Sequence, residues 1–306
     1  MMFIVVLGSA AGGGFPQWNC NAPTSKGVRE GALNAKPRTQ ASIAISADGA
    51  NWLLVNASPD FRQQQLAIRS LWPQGALRHT PIKAVLLTSA EIDHVAGLLS
   101  MRESQSFTLW ATQRVHDILA ENPIFGALNP AYVERRSYSL NKPWEIAGGD
   151  GPLGLTVEAF AVPGKVPLFL ESRNEGNLAG VAEDTTGLCV SQGRSAFFYI
   201  PGCAELTPAL RAKLRGAKLV FFDGTLWSDD ELVGLNISPK TGKRMGHMSI
   251  DGEDGTIAAF RDLDISRKLF IHVNTTNPVL DEDSKERAAI RLAGWEVAED
   301  GMEIHL

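Results

Sequence analysis

Two adjacent residues, Asp93 and His94, stand where a chain can hold a metal ion. They follow the apolar run Ala84–Leu87, which reads as a buried strand, after a short polar loop that contains Ser89 and Glu91. Gly97 and Leu98 come next, at what reads as the start of a helix. A carboxylate and an imidazole at such a strand-to-helix turn are held by a rigid sheet yet stay accessible. Four of the other five histidines are His79, His116, His247 and His305; the fifth, His272, ends the apolar strand Lys268–Val273. Asp93, His94 and His272 together offer one carboxylate and two imidazoles. That set leaves coordination positions open and suits non-haem iron(II), while zinc accepts the same donors.

Plainer readings stand beside this one. Asp93 alone could be the N-cap of the helix that follows, and His94 a hydrogen-bonded core residue. His247 lies in the loop Met245-Gly246-His247-Met248-Ser249, just ahead of a helical pattern. Asp223 ends the apolar run Leu219–Phe222 and precedes Gly224. It could be a ligand, an acceptor that orients a histidine, or a turn residue. Glu91 could be a ligand, a base or a solvated loop residue. His79, His116 and His305 are read as structural; His116 falls inside an amphipathic helix and His79 in a polar turn.

The elements that must position these groups alternate between strands and helices. Strands are expected over Met2–Leu7, Gln40–Ser46, Trp52–Asn56, Pro81–Leu87, Phe107–Ala111, Leu155–Val162, Val166–Glu171, Asn177–Glu183, Ser195–Ile200, Leu219–Phe222 and Lys268–Val273, with short strands in the tail Glu296–Leu306. Helices are expected over Phe61–Leu71 (with Asp60 as a cap), Thr112–Ala120, Thr207–Leu214, Ile250–Asp262 and Asp283–Gly294. Residues 16–38 and 121–150 are broken by Pro, Gly and Asn and read as irregular. Two runs of strands, each followed by helices, fit an α/β fold of four layers, αββα, built as one domain over residues 1–306. The loop Gly8–Gly14 is rich in small residues, but no Gly-Lys-Ser/Thr follows, so it does not read as a phosphate loop.

Of the 306 residues, 44% are hydrophobic and 21% charged, an ordinary globular composition. A net charge of -5 with no Lys/Arg run argues against nucleic acid as a partner. Met2–Leu7 is too short to span a membrane and lacks the features of a signal peptide. Three widely spaced cysteines, Cys20, Cys189 and Cys203, suggest a reducing cytoplasm. An assembly of identical copies is compatible with all of this.

The loop that ends in Asp93-His94 resembles the metal loop of the metallo-β-lactamase superfamily, His-x-His-x-Asp-His, with Ser89 and Glu91 at the first two histidine positions. Longer strings resemble the coenzyme PQQ synthesis protein B family within it. These are Gly12-Gly13-Gly14-Phe15-Pro16-Gln17-Trp18-Asn19-Cys20-Asn21, Asn56-Ala57-Ser58-Pro59-Asp60, Val162-Pro163-Gly164-Lys165, Asp223-Gly224-Thr225, Met245-Gly246-His247-Met248 and His272-Val273-Asn274-Thr275-Thr276-Asn277-Pro278. The resemblance implies a metallo-β-lactamase-like sandwich and a part in making pyrroloquinoline quinone (PQQ). The reaction it implies is an iron- and O2-dependent hydroxylation of the tyrosine ring of a small Glu–Tyr-derived precursor. It implies His272 as the last ligand histidine and His247 as a ligand or acid/base group. Tyr199-Ile200-Pro201-Gly202-Cys203 has no acid where the superfamily bridges two metals, which speaks for one ion. Relatives often carry more cysteines after the position of Cys20; Ala22 and Ser25 stand there, so no zinc is expected at Cys20. Candidate substrate contacts are Arg62, Trp18 and Trp227, with Arg38, Phe15 and the glycine-rich loop as further ones. Two other functions stay open: a soluble carrier of PQQ or a precursor towards the periplasm, and a metallo-hydrolase.

Overall fold

The computed structural model describes residues 1–173 and 180–306. The first sheet contains β1 (Phe3–Gly8), β2 (Ser42–Ser46), β3 (Trp52–Val55), β4 (Ile82–Leu86), β5 (Phe107–Ala111), β6 (Val133–Ser137) and β14 (Glu303–His305). Its strand order is β14-β1-β2-β3-β4-β5-β6. The second contains β7 (Trp144–Gly148), β8 (Gly151–Ala161), β9 (Thr186–Gln192), β10 (Ser195–Ile200), β11 (Leu219–Asp223), β12 (Arg267–Ile271) and β13 (Glu296–Val297). Its order is β13-β12-β11-β10-β9-β8-β7. Each sheet changes from antiparallel to parallel pairing part-way across, at β3 in the first and β10 in the second.

Alternation along the strands builds the layers. Ile4 and Val6 of β1 join Val157, Tyr199, Phe221 and Leu269 in the core between the sheets, whereas Val5 and Leu7 face outwards. Strands buried on both faces favour apolar residues at every position, which is why β1 and β3 read as continuous hydrophobic runs. The helices are α1 (Pro23–Arg29), α2 (Phe61–Ala67), α3 (Ile92–Val95), α4 (Gln113–Glu121), α5 (Pro208–Leu214), α6 (Glu231–Gly234), α7 (Gly242–Met245), α8 (Thr256–Ala259) and α9 (Lys285–Leu292). Val115 and Ile118 of α4 cover the first sheet, and Leu210 of α5 and Ile290 of α9 cover the second. The expected αββα layering therefore holds. None of the described helices is long and apolar enough to cross a membrane.

Several local expectations are corrected. Leu168–Arg173 is a 3-10 helix rather than the strand expected over Val166–Glu171. The strand expected over Asn177–Glu183 lies partly outside the described residues; Ala182–Asp184 form a turn closed by Val181 N donating to Asp184 Oδ2 at 2.8 Å, and the strand begins at Thr186. The irregular stretch 121–150 contains β6 and β7, both edge strands. The sequence of β6, Val-Glu-Arg-Arg-Ser, carries the charge that protects a sheet edge, and that charge hides the strand pattern. Residues 16–38 contain α1, with Pro23 at its first turn, where a proline costs no hydrogen bond. The long helix expected over Ile250–Asp262 shrinks to α8. Asp60 precedes α2 without capping it; its carboxylate accepts from Gln40 N and Nε2, both at 2.9 Å.

Candidate metal centre

Strand β4 ends at Leu86, and the chain turns through Ser89 and Glu91 into α3. Glu91, not Asp93, occupies the N-cap position. The turn is held against the loop after β3: Ala57 N donates to His94 O at 2.7 Å and Gly97 N to Ala57 O at 2.8 Å. A Cβ on Gly97 would lie 2.1 Å from Ser58 O, so only glycine allows this approach. That contact fixes the height at which Asp93 and His94 leave the sheet.

The two imidazoles arrive from different ends of the chain. His272 follows β12 with φ of 61°, a left-handed backbone that costs a non-glycine residue on the order of 1 kcal/mol. Its Nε2 lies 3.0 Å from Asp93 Oδ2, and its Nδ1 lies 2.9 Å from Thr225 Oγ1. His94 Nε2 lies 3.9 Å from the same Asp93 oxygen. His94 Nδ1 shares a 2.7 Å hydrogen bond with Ser89 Oγ. Thus Ser89, at a position where the superfamily loop has a histidine, orients His94 instead.

His94 Nε2 is buried and has no hydrogen-bond partner among the described residues. An orphaned buried imidazole nitrogen costs free energy and needs an explanation. A cation would supply one. Asp93, His94 and His272 each offer one ligand atom, all within 4.8 Å of one another. Bonds of about 2.1 Å hold neighbouring ligands roughly 3.0–3.4 Å apart; His272 Nε2 and Asp93 Oδ2 already stand at 3.0 Å, and His94 Nε2, at 3.9 Å, would draw in by about half an ångström. The charge states of His94 and Asp93 agree with this. Burial pushes His94 down to about 4, so its ring is neutral near pH 7. Burial opposes ionisation of Asp93, yet His94 and His272 hold it well below the usual carboxylate range. Burial also works against charge on His272, but the hydrogen bond and charge of Asp93 keep it above the ordinary histidine value.

A second cluster, Asp223, His247 and His272, adjoins the first and shares His272. Asp223 closes β11 and is fully buried. Its Oδ1 accepts from Thr225 N at 3.0 Å and from Thr225 Oγ1 at 2.6 Å. Its Oδ2 accepts from Cys203 N at 2.8 Å and faces His247 Nδ1 at 2.7 Å. His247 follows α7, whose C-terminal Gly246 takes φ of 87° to turn the chain. The rings of His247 and His272 are stacked with centroids 5.3 Å apart. Asp223 is thereby the residue that orients His247, with Thr225 tying both histidines together.

Asp93, His94, Thr225, His247 and His272 line one side of a cavity of about 420 Å³ that also takes in Gly12, Glu91, Lys165, Lys240 and Asn274. Glu91 is engaged rather than free: Lys165 Nζ and Leu168 N donate to it, each at 3.2 Å. Lys165 and Lys240 also pair with Glu171, at 3.0 and 2.9 Å. The sequence reading missed Lys165, Lys240, Thr225 and Asn274 as site residues, although three of them, Lys165, Thr225 and Asn274, lie inside the strings that carried the family resemblance. The expected substrate contacts fall elsewhere. Trp18 is 86% exposed, Arg62 is exposed on α2, and Trp227 is half-buried; none lines this cavity. Arg38 and Phe15 are buried away from it, Arg38 donating to Ser9 Oγ and Ala298 O. Of the glycine-rich loop, Ala11 and Gly12 reach the cavity. Cys20 Sγ accepts from Ala22 N at 3.4 Å.

Comparison with known proteins agrees with this architecture. A family model described as beta-lactamase superfamily domain matches residues 51–273. The chain is 63% identical over 305 residues to coenzyme PQQ synthesis protein B of Xanthomonas campestris pv. campestris (strain B100), covering 100% of both chains. The chain belongs to the coenzyme PQQ synthesis protein B family. Identity to the family member from Gluconacetobacter diazotrophicus is 53%, over 99% of each chain. A solved structure from the same family, zinc-bound PqqB from Methylobacterium extorquens, superposes with a TM-score of 0.94 at 46% identity, covering 99% of this chain and 100% of that one.

Proposed function

We propose that this protein acts in the synthesis of coenzyme PQQ by hydroxylating the tyrosine ring of a small Glu–Tyr-derived precursor, with one iron(II) ion and O2. The reading draws on the family's name and on the convergence of Asp93, His94 and His272 around the unpartnered His94 Nε2. Asp93, His94 and His272 would hold the ion; Ser89 and Thr225 would fix the rings of the two histidines. Bound there, iron(II) supplies the redox chemistry that lets O2 react with an aromatic ring. One oxygen atom enters the ring as a hydroxyl and the other leaves as water, with two protons and two electrons taken from an external reductant. Two imidazoles and one carboxylate leave positions for substrate and O2.

The remaining residues bind and move protons. Lys165, Lys240 and Arg244 outnumber the carboxylates they pair with, Glu91 and Glu171, and the one excess positive charge at the cavity wall suits a carboxylate of such a precursor. His247, with Nδ1 fixed by Asp223, keeps Nε2 for the cavity, where it can take the proton that the ring or its phenol gives up. Leu168, Leu232 and Met245 supply apolar wall for the ring.

The test is anaerobic loading with iron(II), addition of O2 and an excess of reductant with a Glu–Tyr dipeptide, and mass analysis. A gain of one oxygen atom supports the hydroxylase. A second reading, zinc-dependent hydrolysis, draws on the zinc in the Methylobacterium extorquens relative and on the His247–Asp223 pair, which fits acid/base work on a leaving group. Bond cleavage without O2 uptake in the same experiment would favour it. Tight binding without turnover under either metal would leave the carrier role.

A further inference from the structure

We propose that Asn274 is a specificity residue that presents its side-chain carbonyl to an amine of the substrate. The proposal rests on the reading that the cavity beside the metal ligands takes a Glu–Tyr-derived molecule. Asn274 stands at a junction. It lines that cavity together with a second one of about 620 Å³, and Gly12 and Leu232 are the other residues common to both. The second cavity is walled by Gln17, Cys20, Leu235, Ile237 and Thr275. A ligand that reaches from one cavity into the other would contact these three shared residues, of which Asn274 alone carries a polar side chain.

A chain of hydrogen bonds behind Asn274 sets which end of its amide faces the ligand. Trp227 N donates to Glu231 Oε2 at 2.7 Å, and Thr276 Oγ1 donates to Glu231 Oε1. With Glu231 ionised, its carboxylate takes the only hydrogen of the Thr276 hydroxyl, which can then only accept from Asn274. Asn274 Nδ2 therefore donates to Thr276 Oγ1, at 2.7 Å. Asn274 Oδ1 is left with no donor among the described residues. Asn274 N is bound to Thr225 O at 3.0 Å, so the residue cannot swing away as a whole. The site thus offers an acceptor where the two cavities meet, while the cluster of Lys165, Lys240 and Arg244 with Glu91 and Glu171 keeps one excess positive charge elsewhere on the first cavity. Acceptor and excess charge together match a molecule that carries an amine and a carboxylate.

Glu231→Gln tests this without touching the cavity wall. Trp227 N still needs an acceptor, so the Gln oxygen stays there and its NH2 turns to Thr276 Oγ1. Thr276 then donates to Asn274, whose amide flips and presents Nδ2. Binding is measured by calorimetry on the zinc-loaded chain at pH 8, with Glu–Tyr, glutaryl-tyrosine (the same molecule without its amine) and 2-oxoglutaryl-tyrosine (a ketone in place of the amine). The native chain should bind Glu–Tyr about tenfold more tightly than either analogue. Glu231→Gln should favour the ketone over the amine. Asn274→Leu should bind all three alike. A native preference that persists in Asn274→Leu, or a ranking unchanged in a folded Glu231→Gln, overturns the assignment of Asn274 and leaves the Glu–Tyr reading standing. Failure of the native chain to bind any of the three removes both.

Discussion

Glu231 should set the pH dependence of folding stability. It precedes a loop of exposed apolar residues, yet its carboxylate sits inside, bonded to Thr276 and to the Trp227 amide. Burial pushes it up to about 7 against the pull of those hydrogen bonds, from an ordinary value near 4.5. A carboxyl raised in the folded chain holds its proton more tightly there than in the unfolded chain. Stability from this group is therefore complete below pH 4.5 and is lost as pH rises towards 7. A shift of about 2.5 units at 1.36 kcal/mol per unit is worth about 3 kcal/mol. Glu231→Gln keeps the shape and removes the proton equilibrium. It should match the native chain near pH 5 and exceed it by up to about 3 kcal/mol at pH 8. Urea unfolding at half-unit pH steps, with metal absent from both proteins, measures the difference. Parallel pH–stability curves for the two proteins would refute the reasoning, because they would mean that Glu231 is solvated in the folded state.

Three further outcomes follow from the site. Ser89→Ala should fold normally but bind zinc or iron about 10–100-fold more weakly, since His94 loses the bond that sets its ring; equilibrium dialysis with metal analysis reads this. Asp223→Asn should keep one metal per chain while turnover falls by about 10²–10⁴, with the larger loss in kcat rather than KM, because His247 loses its orienting carboxylate. Gly97→Ala should fail to fold stably or melt far below the native chain, as its Cβ would meet Ser58 O; an unchanged melting temperature would show that the contact between α3 and the loop after β3 yields freely.

The strands of the central core were legible because burial on both faces demands unbroken apolar runs, as in Phe3–Leu7 and Leu219–Phe222. The edges were not. Val133–Ser137 must carry charge to avoid pairing with another chain, and charge erases the signal that a strand reading uses. Short helices such as Thr256–Ala259 owe their existence to tertiary contacts, since a single turn has no stability of its own. In the site, Asp93, His94, His247, Asp223 and His272 stood out because each ends a recognisable strand or begins a helix. The cavity walls did not, because Lys165, Lys240 and Asn274 sit in loops whose path depends on what the loops pack against. Aromatic and cationic residues near the glycine-rich loop looked like good contacts from their chemistry. Their sequence position says nothing about which way that loop faces, and Trp18 faces solvent.

The two positions at which the superfamily loop would place further histidines have been put to other use, and this bears on metal number. Ser89 holds His94 by its Nδ1, and Glu91 holds Lys165 and the amide of Leu168, closing one wall of the cavity. Restoring the loop with Ser89→His and Glu91→His should therefore not create a second metal site. His94 would lose its orienting bond and the wall its anchor. The acid able to bridge two ions would still be absent at the Tyr199–Cys203 turn. Asp223, whose carboxylate reaches that turn at Cys203 N, is committed to Cys203 N, Thr225 and His247. The double variant should bind at most one zinc per chain, with weaker affinity than the native protein, when titrated and counted by metal analysis. Two tightly held ions per chain would mean that Asp223 can leave its three partners at little cost, and that Ser89 and Glu91 alone decide how many ions the loop can hold.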